Sequence, residues 1–237
     1  MDSMSRKPLK IGYSGTLFYY RPIAKNPHII KLFLKIIRNW VWEYRVYNVD
    51  HSTRTATYLF RAVRNMKDKD PNIGEIVQIE LWGNIHKEYI KLANDLDIND
   101  IVTISGYVTK KESLEKTKKC DVMFLPLETS TNFQKSYFLP AKIFDYLQMK
   151  KPVLILSKES DALDVLTRAG LGIACDPGDV DEIAEKIMYL VEQGDDLSGI
   201  VNPDVKYIQE NFHFKNISKK LADVFENLLD KNKQLVL

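Results

Sequence analysis

Six short apolar runs, each closed by a glycine or a turn, alternate with amphipathic stretches along most of this chain. Leu9-Lys10-Ile11-Gly12-Tyr13-Ser14-Gly15 opens the series. Val77 to Leu81 then ends at Trp82-Gly83-Asn84, and Ile101 to Ile104 ends at Ser105-Gly106-Tyr107. Asp121 to Leu127, Val153 to Leu156 and Ile173 to Cys175 complete it. Val153 to Leu156 is an unbroken apolar run, as expected of a strand covered on both faces. Between them lie helical patterns at His28–Ile37, from Ser52 or Thr53 to Met66, Ile85–Leu96, Thr109–Lys118, Phe138–Met149, Ser160–Ala169 and Asp179–Glu192. Phe214–Leu229 closes the chain as an amphipathic helix. Strand–helix alternation predicts an α/β fold: one Rossmann-like domain with a parallel sheet and helices on both faces.

The chain has 237 residues, 45% of them hydrophobic and 28% charged, enough to bury a sizeable core. Its 34 basic and 32 acidic residues leave a net charge of +2, which gives no general footprint for nucleic acid. Cys120 and Cys175 match no metal spacing and are expected as buried, reduced thiols, which fits a cytoplasmic compartment. No run approaches the roughly 20 apolar residues of a membrane span. Residues 1–8 are expected to lie outside the fold, 9–231 to form the domain, and 232–237 to fray.

Several chemistries are disfavoured. Gly12 and Gly15 do not make a Gly-x-Gly-x-x-Gly turn, and there is no phosphate loop of the Gly-Lys-Ser/Thr kind. The four histidines, His28, His51, His86 and His213, share no helical or metal spacing. The loops show no paired carboxylates suited to holding a metal with phosphate, so no metal site is expected.

The stretch Pro140-Ala141-Lys142-Ile143-Phe144-Asp145-Tyr146-Leu147, followed by Lys151-Pro152-Val153, stands fourth among the ordered strand-end signals. With Gly12-Tyr13-Ser14-Gly15, Trp82-Gly83, Ser105-Gly106-Tyr107-Val108, the Cys120–Pro126 run and Gly170-Leu171-Gly172, it carries a resemblance. The chain resembles the C-terminal, donor-binding domain of retaining glycosyltransferases of the two-Rossmann-domain GT-B architecture, family four especially. The resemblance runs from residue 9 to about 230 and makes the fold half of a GT-B enzyme.

The resemblance implies a nucleoside-diphosphate sugar as donor substrate, lying along the carboxyl edge of the sheet, with no other cofactor. It places Asp145 as acceptor for both ribose hydroxyls, a task suited to an acceptor-only carboxylate. It makes Lys25 the cation that stabilises the departing diphosphate, with Lys142 as a second candidate at a helix start. Gly15, Thr16, Arg21 and Gly83 would line the diphosphate, and Gly106, Tyr107 and Val108 would meet the base. Thr16 stands where the family carries an arginine, with Arg21 as a substitute. Tyr137 stands where a partner acid contacts the transferred sugar. Surface-polysaccharide synthesis is a typical setting for the family.

Two further expectations follow. An acceptor-binding N-terminal domain would complete the cleft, leaving this chain alone able to bind donor but not to transfer sugar. The aromatic-rich insertion at about 36–53, with Trp40, Trp42, Tyr44 and Tyr47 between Arg38 and Arg45, is either packed or a docking surface for that domain, an acceptor or a membrane edge. The competing use of the fold is a non-catalytic nucleotide- or sugar-binding module, or a protein-interaction module.

Overall fold

The computed structural model describes residues 7–19, 49–130, 135–194 and 196–234. Six strands form a parallel sheet: β1 (Leu9–Ser14), β3 (Val77–Trp82), β4 (Val102–Ser105), β5 (Val122–Pro126), β7 (Val153–Leu156) and β8 (Gly172–Cys175). Their spatial order is β4-β3-β1-β5-β7-β8. Two-residue strands β2 (Val49–Asp50) and β6 (Thr129–Ser130) pair antiparallel beside it.

Strand pleating explains why the β5 and β7 runs are apolar throughout. Val122 and Phe124 of β5, with Leu154 and Leu156 of β7, enter one buried cluster. Met123 and Leu125, with Val153 and Ile155, enter the other. Helices α1 (Thr57–Lys69), α2 (Glu88–Asp95) and α6 (Val180–Gln193) cover the first face through Leu59, Phe60, Tyr89, Ile183 and Ile187. Helices α4 (Lys142–Met149), α5 (Asp161–Arg168) and α7 (Val205–Phe212) cover the second through Ile143, Tyr146, Leu166 and Ile208. Both faces of β5 and β7 are therefore apolar, while β1 and β3 carry partly exposed Lys10, Gln78 and Glu80 on one face.

On the second face Gly12 lies under Trp82 and Cys120, and a Cβ there would run into the Cys120 sulfur and the indole. Both cysteines are free and buried, and burial pushes each thiol up to about 12. They are packing residues, inert as thiolates.

Several boundaries differ from the sequence pattern. Helix α4 starts at Lys142, not Phe138: Leu139 precedes a proline, which disfavours helical backbone, and Pro140 instead supplies its carbonyl to the Ile143 amide. Ser52 and Thr53 do not cap α1; they belong to a 3-10 turn (His51–Thr53), and α1 begins at Thr57. Helix α2 starts at Glu88 rather than Ile85, because the Ile85 backbone bridges to Leu17. Helix α3 (Lys110–Lys119) is closed by a capping box in which Thr109 and Glu112 satisfy each other's amides. The last helix, α8 (Phe214–Gln234), runs past the expected Leu229 and takes in residues 232–234, which were expected to fray.

Ile217, Leu221, Val224 and Leu228 recur along α8 at three- and four-residue steps and stay about half exposed. No described helix is long and apolar enough to cross a membrane. The aromatic insertion, apart from residues 49–53, lies outside the described residues.

Candidate functional site

In an open parallel sheet the ligand crevice lies at the carboxyl ends of the strands, where the crossovers diverge. Here that point is between β1 and β5. The chain leaves β1 towards α1 and β3 on one side, and leaves β5 towards α4 and β7 on the other. Two cations converge on the opening, Lys142 from the first turn of α4 and Arg54 from the segment before α1.

Lys142 Nζ lies 3.8 Å from the centroid of the Tyr13 ring and 3.1 Å from where a Cβ on Gly15 would stand. Gly15 has φ +123°, a backbone conformation that L side chains rarely adopt. Its lack of a side chain leaves the lysine head room at the end of β1. Lys142 makes no ion pair among the described residues. Burial and the neighbouring Arg54 charge push its pKa down to about 7. The Tyr13 phenol, raised mainly by burial, donates to the Thr16 carbonyl at 2.7 Å and stays neutral.

Arg54 was not among the residues singled out from the sequence. It is carried to the crevice by long-range contacts: the Thr53 hydroxyl donates to the Leu127 carbonyl at 2.8 Å, and β2 pairs with β6 just beyond β5. Its guanidinium lies 5.3 Å from the Phe138 ring centroid and 3.7 Å from Glu128 Oε2. Glu128 also meets His51 Nδ1 at 3.0 Å. Glu128 thus holds Arg54 loosely at the rim, while Arg54 still lowers the Lys142 pKa.

The other expected residues divide into three groups. Gly15, Thr16 and Lys142 come together at the end of β1. Asp145, one helical turn after Lys142, is exposed and has no hydrogen bond or ion pair among the described residues, so its oxygens are open to donors. Tyr137, 73% exposed, sits in the segment between β6 and α4, which is pinned by bonds from the Ser136 amide to Glu159 and from Asp161 to Ser136.

A second group serves the fold. Gly83 has φ +113°, and a Cβ on it would approach the Gly15 carbonyl oxygen to 2.5 Å. The Gly15 amide donates to Trp82 O at 3.0 Å, so this strand-end amide is already used. Val108 packs against the second core. Gly106 and Tyr107 follow β4, two strands from β1; Tyr107 is 82% exposed and nothing crowds Gly106.

The third group, Lys25 and Arg21, lies outside the described residues. No side chain caps α4; instead the Pro140 and Ala141 carbonyls accept from the Ile143 and Phe144 amides. The two cations form a site for a multiply charged anion, with an acceptor-only carboxylate one turn from Lys142. Among the described residues there is no group of three acidic, histidine or cysteine side chains that could hold a metal ion.

Comparison with known proteins decides the family. The model for "Glycosyl transferases group 1" matches residues 47–193, well over half of the chain. The chain belongs to the group 1 glycosyltransferases. Sucrose-phosphate synthase from Thermosynechococcus elongatus superposes with a TM-score of 0.58 at 13% identity, covering 94% of this chain and 46% of that one. A glycosyltransferase from Rickettsia africae gives 0.55 at 13% identity, covering 95% and 48%. TarM from S. aureus, solved with Fondaparinux, alpha-GlcNAc-glycerol and UDP, gives 0.54 at 15% identity, covering 94% and 36%. The chain therefore spans less than half the length of these glycosyltransferase structures. The shared open α/β fold is the expected one. No curated protein matches the chain.

Proposed function

We propose that this chain is the donor-binding domain of a retaining group 1 glycosyltransferase and that the β1–β5 crevice holds a nucleoside-diphosphate sugar. The observation that carries this is the meeting of Lys142 and Arg54, without a carboxylate on Lys142, at the switch point of the sheet. The diphosphate lies between the two cations. Asp145 accepts the ribose hydroxyls. Arg54 is the described cation beside Lys142, and Lys25 keeps the role the resemblance implies for it.

The chemistry asked of this domain is electrostatic. As the glycosidic bond to phosphate breaks, negative charge grows on the departing diphosphate. Fixed cations then stabilise the transition state more than the ground state. Tyr137, exposed in the segment before α4, meets the transferred sugar. The acceptor is held by a second Rossmann-like domain. Two facts support that partner: the chain covers under half of the matched structures, and α8 leaves an apolar stripe half exposed. Polysaccharide synthesis on the cytoplasmic side of a membrane is the setting we assign.

Calorimetric titration with UDP, GDP and ADP tests the donor site. One diphosphate is expected to bind, and Asp145→Ala to weaken it at least tenfold. Absence of binding by all three would move weight to a protein-interaction module. An assay of sugar transfer by this chain alone tests the missing-partner claim; robust turnover would refute it.

A further inference from the structure

We infer that anion binding in the β1–β5 crevice is coupled to protonation of Lys142: as the diphosphate enters, the amine takes up a proton from solvent. The inference rests on the donor-site reading for the ligand, but its evidence is the setting of one side chain. Lys142 Nζ sits over the Tyr13 ring at 3.8 Å, beside the side-chain-free Gly15. A ring face attracts an ammonium but does not replace the full hydration given up on burial. No carboxylate stands within ion-pairing distance among the described residues, and the nearest charge is another cation.

The groups facing Lys142 can be taken element by element. From β1 comes the Tyr13 phenol, which donates to Thr16 O and is held neutral by burial. From α4 comes Tyr146, whose buried hydroxyl is kept neutral because burial raises its pKa. Asp145 on the same helix is exposed and does not figure among the influences on Lys142. From the segment before α1 comes Arg54, which repels a proton on Lys142. Beyond Arg54, Glu128 is already shared between Arg54 and His51. Burial and this repulsion together bring the amine to about 7.

A diphosphate reverses both causes. It supplies the missing counter-charge at hydrogen-bond distance and screens Arg54 from Lys142. The Nζ lone pair then takes a proton from bulk, and a buffer molecule gives one up. If the anion binds the protonated form, apparent affinity scales with the protonated fraction of the free protein. That fraction falls about tenfold between pH 6 and pH 8 for a group titrating near 7. An ordinary surface lysine would show no change over this interval.

The test uses UDP-, GDP- and ADP-glucose, whose esterified phosphates do not titrate between pH 6 and 8. Calorimetry at both pH values, in buffers of different ionisation enthalpy, reads affinity and protons together. The expected result is about tenfold weaker binding at pH 8, with close to one proton taken up there. Lys142→Arg should retain binding and abolish both effects, while His51→Gln should keep them. Binding that is equal at the two pH values, or proton uptake that survives Lys142→Arg, overturns the inference and leaves the donor site standing. A second readout needs no nucleotide. The 13C-lysine NMR signal assigned through Lys142→Arg should titrate near neutrality and move to higher pH in 0.1 M sulfate. That shift without any nucleotide-sugar binding would support the coupling and defeat the donor reading. Titration of Lys142 at the ordinary lysine value would defeat the coupling outright.

Discussion

Lys142 costs the fold stability in a way that pH reveals. Its pKa is about 7 in the folded chain against 10.5 for an ordinary lysine. Below pH 7 it is charged in both folded and unfolded states, and the burial penalty is fully present. Between pH 7 and about 10.5 the unfolded chain holds more protons, so stability rises with pH. Above that the amine is neutral in both states and the penalty vanishes. Lys142→Met is therefore expected to stabilise the protein at pH 6 by about 2 kcal/mol, allowing for the residue's partial exposure. The gain should shrink towards pH 10.5, as denaturant unfolding at several pH values would show. Gly12 makes the opposite point about space. A methyl group there meets the Cys120 sulfur and the Trp82 ring in a filled core. Gly12→Ala should lower stability by about 1–3 kcal/mol, read as a shift in the urea midpoint at constant slope.

At the scale of elements, α4 is the informative one. It ends on Lys150 in the left-handed conformation, φ 53° and ψ 38°, where a glycine would be unstrained. Lys150→Gly is expected to raise stability by about 1 kcal/mol, since relief of the strain outweighs the added freedom of the unfolded chain. Equal or lower stability in thermal unfolding would contradict this. Strands β5 and β7 were legible because pleating sends successive residues into two separate cores, which forces unbroken apolar runs, and β3 because Gln78 and Glu80 alternate with apolar residues. The start of α4 was less so. Pro140 suits a first helical turn, but it instead receives the Ile143 amide from outside the helix. Helix α1 was displaced for a similar reason: Ser52 and Thr53 have the chemistry of caps, yet the Thr53 hydroxyl is committed to Leu127. Local patterns gave the elements, and long-range bonds moved their ends.

For the molecule as a whole, strand-end order carried the fold to the group 1 glycosyltransferases, and it singled out two residues of the proposed site. Lys142 and Asp145 were legible because one contiguous stretch bears both. Arg54 was not, because nothing local marks it. It reaches the crevice only through the β2–β6 pairing and the Thr53–Leu127 bond, contacts between segments more than seventy residues apart in sequence. Lys25, which the resemblance implies, lies outside the described residues. The site is thus a product of topology, in which the divergence of α1 and α4 at the β1–β5 boundary puts a cation on each side. Arg54→Ala should accordingly weaken nucleoside-diphosphate binding by about tenfold or more, the loss expected for one charge-assisted contact to phosphate. Lys220→Ala, on the exposed α8, should leave it unchanged.

The central claim is that the β1–β5 crevice is where the diphosphate sits. Backbone amide NMR spectra of the full chain, followed through titration with UDP, GDP and ADP, test it most directly. The account predicts saturable shifts, with one of the three nucleotides, centred on Gly15, Arg54, Leu127, Lys142 and Asp145. Shifts centred at the opposite edge of the sheet, around Lys7 and Asp121, or no saturable shifts with any of the three, would contradict it.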